Sequence, residues 1–144
     1  MTSGENRKSW TVGRVKITRV VEIGHIENSR EILRDADPSE VQKISWLIPN
    51  FATPEGELKL KVQSWLVETP KLKILVDTCI GNGKKGLPFG WDNLNTPYLE
   101  KLASAGCPAE SIVMVVCTHI HVDHVGWNTK LADDKWVPTF PNAR

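Results

Sequence analysis

Six consecutive apolar residues, Ile112 to Cys117 (IVMVVC), end at Thr118, and the six positions after that hold His119, His121, Asp123 and His124. Four of the six apolar residues are β-branched, and a run this short and this branched reads as a strand covered on both faces. A polar cluster that starts where such a strand stops lies at the carboxyl end of a central strand. Open α/β sheets hold their ligands at that position.

The rest of the chain supplies the elements such a strand needs. Val15, Ile17, Val21 and Ile23 recur near period two, predicting a strand over Arg14 to Ile23 with a slip around Arg19-Val20. The mixed segment 24–53 reads as long loop with room for one short element near Ile44 to Ile48. Leu58, Leu60 and Val62 alternate with polar residues and lead to Trp65-Leu66-Val67, then Thr69-Pro70-Lys71, then Leu72 to Val76. This predicts strand, tight turn, strand. Gly81, Gly83, Gly86, Pro88 and Gly90 make a loop too glycine-rich for a regular element. A helix follows, with Thr96 as cap, Pro97 at its first position, a face of Leu99, Leu102 and Ala103, and Gly106 and Pro108 as stops. The tail 136–144 reads as a segment continuing elsewhere.

Composition narrows the class without naming it. In 144 residues, 40% hydrophobic, one compact domain is expected. Eighteen basic against seventeen acidic residues, with no long run of like charge, argue against nucleic acid and against an anionic membrane as partners. No apolar stretch is long enough to span a bilayer, and the polar start has no signal-peptide pattern, so a soluble, cytoplasmic protein is expected. Cys79, Cys107 and Cys117 share no C-x-x-C spacing and read as incidental thiols.

Imidazole and carboxylate are the preferred ligands of zinc and similar divalent ions, and a short loop can aim several of them at one point. In extended geometry His119, His121 and Asp123 would face one side and His124 the other, so that one segment could serve two adjacent metals. Two blander readings are a solvated loop and a tract binding metal adventitiously. The interleaved Ile120, Val122 and Val125 weigh against both. Gly126 permits a tight turn or a close backbone approach. His25 lies in no ligand pattern and reads as a solvated residue. Asp133 and Asp134 read as part of a charged turn over Leu131 to Lys135. Trp46, Phe51, Phe89 and Trp91 could wall an apolar pocket, with plain packing as the alternative.

The segment Thr118-His119-Ile120-His121-Val122-Asp123-His124-Val125-Gly126 resembles the T-H-x-H-x-D-H-x-G signature of the metallo-β-lactamase fold. The order of Trp65-Leu66-Val67, Ile74-Leu75-Val76-Asp77-Thr78, a capped helix and an apolar strand is similar as well, from about Leu58 onward. The resemblance implies an α+β fold, the αββα sandwich of that superfamily, represented by roughly its N-terminal half. The chain is then a single partial domain over 1–144, its core starting near residue 14. The resemblance implies His119 and His121 as ligands of a first zinc ion, and Asp123 and His124 as ligands of a second. Asp123 is also the catalytic candidate. Asp77 is the implied buried acid that orients the ligand loop, a plain strand-ending turn aspartate being the alternative.

The implied function is zinc-dependent hydrolysis of an ester, lactone or related small-molecule substrate by a water whose pKa the metal lowers from about 15.7 toward 7. The wording around Trp127-Asn128-Thr129 and over 136–143 is most similar to the lactonase and organophosphate-hydrolase branch. The further ligands of the family's dinuclear site find no matching residues here, so activity is expected to need a C-terminal half. A non-catalytic fragment or partner-binding module is the alternative, and a nuclease of the same fold a further one. Core surface left uncovered would favour self-association.

Overall fold

The computed structural model describes residues 8–24 and 29–144, which form a five-stranded mixed sheet in the order β1-β2-β3-β4-β5 and a separate two-stranded sheet, β6-β7. The strands are β1 (Ser9–Val12), β2 (Val15–Ile23), β3 (Val62–Glu68), β4 (Lys73–Val76), β5 (Met114–Val116), β6 (Thr129–Ala132) and β7 (Lys135–Pro138). The α-helices are α1 (Pro38–Val41), α2 (Tyr98–Ser104) and α3 (Val122–Val125). No helix among the described residues is long and apolar enough to cross a membrane. The chain divides into two compact units, Met1–Glu22 with Gln63–Arg144, and Ile23–Val62.

β1 extends the fold ahead of the expected start of the core. It pairs antiparallel with β2, Ser9 opposite Thr18 and Val12 opposite Val15, around a turn at Gly13, whose φ of +59° suits glycine. Trp10 of β1 leans on Trp65 of β3 with ring centroids 5.8 Å apart. In β2 the residues Thr18, Val20, Val21 and Glu22 are all buried. Both faces of the strand are covered there, which is why the period of two fades without a slip being required.

β3 and β4 form the predicted hairpin, Trp65 opposite Val76 and Glu68 opposite Lys73, closed by the Thr69 N–H bonded to the Leu72 carbonyl at 2.9 Å. β5 joins β4 in parallel, Ile74 opposite Met114 and Val76 opposite Val116. The expectation of a strand covered on both faces is corrected. β5 stands last in the sheet order, its residues are half-buried, and Val116 is 43% exposed. Its outer edge is met by Arg144, whose N–H and C=O bond Val113 and Val115 at 3.3 and 3.1 Å.

Helix α2 is also built differently from its sequence signals. Thr96 does not cap it. The Thr96 hydroxyl donates instead to Glu22 at 2.9 Å, and Pro97 occupies the cap position without a side-chain bond. The buried face is Tyr98, Leu102 and Ala105, spaced i, i+4, i+7, while Ala103 is exposed. Tyr98 is fully buried, and its hydroxyl bonds Ser64 of β3 at 2.6 Å, seating the helix on the sheet. Leu66, Leu75, Ile80 and Ile112 complete this core, each worth about 1.5–3 kcal/mol in apolar surface removed from water.

The charged turn at Asp133-Asp134 takes φ of +49° and +57° and closes the hairpin of β6 and β7, Ala132 opposite Lys135. Two consecutive positive φ values are those of a type I′ turn. In the unit Ile23–Val62, α1 is capped by Asp37, whose carboxylate accepts the Ser39 N–H at 3.0 Å. Trp46 packs edge-on against Phe51 there, with centroids 6.1 Å apart.

Candidate metal centre

The loop after β5 is not extended. The His124 N–H bonds the His121 carbonyl at 3.0 Å, and Val122 to Val125 form the single turn α3. The expected alternation of side chains on two faces is therefore replaced by a curl. His119 and His124 approach with ring centroids 3.9 Å apart, and His119 and His121 at 4.7 Å. Nor are the interleaved apolar residues buried. Ile120 is 87% exposed, and His119 and His121 face solvent, while Asp123 and His124 are half-buried.

Asp77 organises this cluster from beneath. It follows β4 with φ +58°, a left-handed conformation that aspartate tolerates better than most residues, and its N–H bonds the Val116 carbonyl at 2.8 Å. Its carboxylate accepts the Thr118 N–H at 2.8 Å and the Thr118 hydroxyl at 2.9–3.0 Å, and lies 2.9 Å from Nδ1 of His124. Burial pushes the Asp77 carboxyl up. The Thr118 N–H, the His124 ring and the Thr118 hydroxyl outweigh that and hold it below the ordinary carboxylate range. Thr118 passes the order on, since its Oγ1 lies 3.1 Å from Nδ1 of His119. Two of the three clustered imidazoles are thus oriented through Nδ1, which turns Nε2 outward.

Nε2 of His124 lies 3.1 Å from Oδ2 of Asp123. In a neutral ring whose Nδ1–H is given to Asp77, that contact sets two lone pairs against each other. A proton or a cation between them resolves it. Two donors on one tetrahedral ion with bonds of about 2.0–2.2 Å sit about 3.3–3.6 Å apart, so the pair is close to ligand spacing. Among the described residues no group of three or more His, Cys, Asp or Glu side chains converges on a common point with metal-holding geometry. The donor chemistry suits a divalent ion, and Asp123 and His124 stand together as a pair of donors.

The turn that carries Asp123 and His124 is fixed to the segment that follows Asp77. Thr78 N–H bonds the His124 carbonyl at 2.7 Å, Gly126 N–H the Cys79 carbonyl at 2.7 Å, and Trp127 N–H the Thr78 carbonyl at 2.9 Å. A Cβ at Gly126 would overlap the Ile80 backbone, and one at Gly81 would come within 2.9 Å of Gly126. Gly126 is therefore required for close approach.

Phe89 and Trp91 pack on each other at 5.0 Å within the glycine-rich loop. The open cleft beside Cys117 is lined instead by Asn128, Pro138, Phe140 and Arg144. His25 lies outside the described residues. Asp133 and Asp134 are turn residues. Sequence reasoning missed Glu22, a carboxylate only 5% exposed that reaches the ligand turn through Trp127. The available signal was an acid inside the apolar run Val20-Val21-Glu22-Ile23.

Residues 59–144 match the metallo-beta-lactamase superfamily, and the chain belongs to that superfamily. Its fold is similar to that of AidC, a dizinc quorum-quenching lactonase solved with a product, N-hexnoyl-L-homoserine, at 26% identity and a TM-score of 0.69 over 96% of this chain and 43% of that one. It is also similar to the hydrolase AbOPH of the beta-lactamase superfamily (21%, TM-score 0.63, 99% and 44% covered). A probable metal-dependent hydrolase from Staphylococcus aureus gives 22%, 0.64, 93% and 47%. The last two likenesses show the fold alone. The chain spans less than half the length of each of these structures. No curated protein matches significantly.

Proposed function

We propose that this chain carries part of the metal site of a zinc-dependent hydrolase acting on an ester, lactone or related small-molecule substrate. The observation that carries the reading is the relay Asp77–His124–Asp123, with contacts of 2.9 and 3.1 Å, which presents an imidazole and a carboxylate side by side. His119 and His121 would hold one ion, and Asp123 and His124 a second. Bound zinc would lower the pKa of a coordinated water and polarise the scissile carbonyl. Asp77 holds the imidazole of His124 and Thr118 that of His119 by Nδ1, so that Nε2 of each is presented. Asp123 is the catalytic candidate, a carboxylate able to take a proton from the attacking water. Membership of the superfamily and the likeness to a dizinc lactonase support the substrate class.

On this reading the chain would be one partial domain of the full fold, with activity needing the rest; that it spans less than half the length of the similar structures supports this. A second reading, a non-catalytic piece or partner-binding module, is favoured by the lack of a converging donor triad among the described residues. Hydrolysis of a lactone and aryl-ester panel with added zinc, wild type against His121→Ala, separates the two. A wild-type rate well above that of the variant supports the hydrolase. Equal background rates in both would sink it for this chain, and cleavage of phosphodiesters alone would favour a nuclease.

A further inference from the structure

Glu22 sits on β2, 5% exposed, far in sequence from the ligand segment. Among the described residues its carboxylate accepts from four donors. Oε2 accepts the Ile80 N–H at 2.7 Å, and Oε1 accepts the Gly81 N–H at 3.3 Å, the Thr96 hydroxyl at 2.9 Å and the Trp127 indole N–H at 2.6 Å. Burying a carboxylate is costly unless its acceptor sites are filled, and here four donors fill them. Lys101 brings a cation to the same strand, its Nζ bonding the Val21 carbonyl at 3.0 Å.

The donors come from three segments with different tasks. Ile80 and Gly81 belong to the strap that follows Asp77. Trp127 directly follows the ligand turn, and Thr96 precedes α2. Strap and ligand turn are already joined at Thr78, Cys79, His124, Gly126 and Trp127. The indole of Trp127 is pinned from its other side by stacking on Tyr98 at 5.6 Å and 22°.

We infer that Glu22 is a positioning residue, a clamp that holds the turn His124 to Trp127 against the strap Thr78 to Gly81 and so sets where Asp123 and His124 stand. It touches neither ligand and acts through the backbone between them. The consequence for metal binding rests on the function proposed above, whereas the clamp itself does not. Glutamine cannot replace Glu22, because its NH2 group must face at least one of the four donors.

The test combines residue-resolved amide exchange with zinc titration on Glu22→Gln and on Trp127→Phe, the second removing one donor while keeping a ring on Tyr98. Glu22→Gln is expected to speed exchange at Thr78, Gly126 and Trp127 at least ~10-fold more than at Leu66 and Leu75, and to weaken zinc binding by ~10-fold. Trp127→Phe should do the same more weakly, and serves if Glu22→Gln does not fold. Exchange that rises equally across the sheet, or not at all, would overturn the clamp. Localised exchange with unchanged zinc affinity would overturn its positioning role. If the wild type binds no zinc, the metal reading falls and the exchange result still decides the clamp.

Discussion

Asp77 shows how much one residue can carry. Its carboxylate satisfies a backbone N–H, a hydroxyl and an imidazole from a left-handed backbone position. Asp77→Ala leaves the Thr118 N–H and the His124 ring without their partner, and hydrogen bonds to a charged group are each worth about 1.5–3 kcal/mol. Urea denaturation should show a loss of about 2–3 kcal/mol, and zinc titration a loss of about 10- to 100-fold in affinity. Gly126→Ala tests the close approach to Ile80. Because the added methyl meets backbone, an overpacking cost of about 1–3 kcal/mol is expected in the same assay. The thiols differ as sharply. Burial pushes the thiols of Cys79 and Cys107 up, and both side chains are enclosed, while Cys117 is partly open. An alkylating reagent near neutral pH should label Cys117 in the native protein and the other two only after unfolding.

At the scale of elements, the hairpin β6-β7 carries a correctable mismatch. Its turn demands positive φ at two successive residues, and Asp133-Asp134 supplies it with side chains that only tolerate that region. Asn-Gly suits such a turn better, so Asp133→Asn with Asp134→Gly should raise stability by about 0.5–1 kcal/mol in thermal melts. The hairpin was legible only as a turn, since four-residue strands holding a single alternation give little periodic signal. Helix α2 was legible in place but not in detail. Its N-terminal threonine serves the buried Glu22 carboxylate in preference to the helix end, because that carboxylate has no solvent to turn to. Tertiary demand outweighed a local capping preference worth about 1 kcal/mol.

For the whole molecule, the zinc count is the decisive measurement. Because His119, His121, Asp123 and His124 would supply only two protein ligands to each of two ions, this 144-residue chain should retain fewer than two tightly held zinc ions after exhaustive dialysis, read by elemental analysis. Two ions retained per chain would show that the chain assembles a complete site. The five-stranded sheet places β5 at its edge, so the strand that leads into the histidine cluster is only partly buried and the loop after it opens to solvent. That arrangement accounts for the exposure of His119, His121 and Ile120.

The strands β2 to β5, the helix before β5 and the clustering of His119, His121, Asp123 and His124 follow from the sequence by itself, because period, punctuation and residue spacing are local properties. Asp77 was visible as a candidate only through the resemblance of the strand-ending Val76-Asp77-Thr78 to the superfamily's pattern, since the loop it supports lies 41 positions further on. The curl that brings His119 and His124 together, the bonds from the Thr78 strap and the Glu22 clamp were decided only by tertiary structure. Each joins residues 40 or more positions apart in sequence or depends on which backbone groups remain to be satisfied, and no local pattern records either.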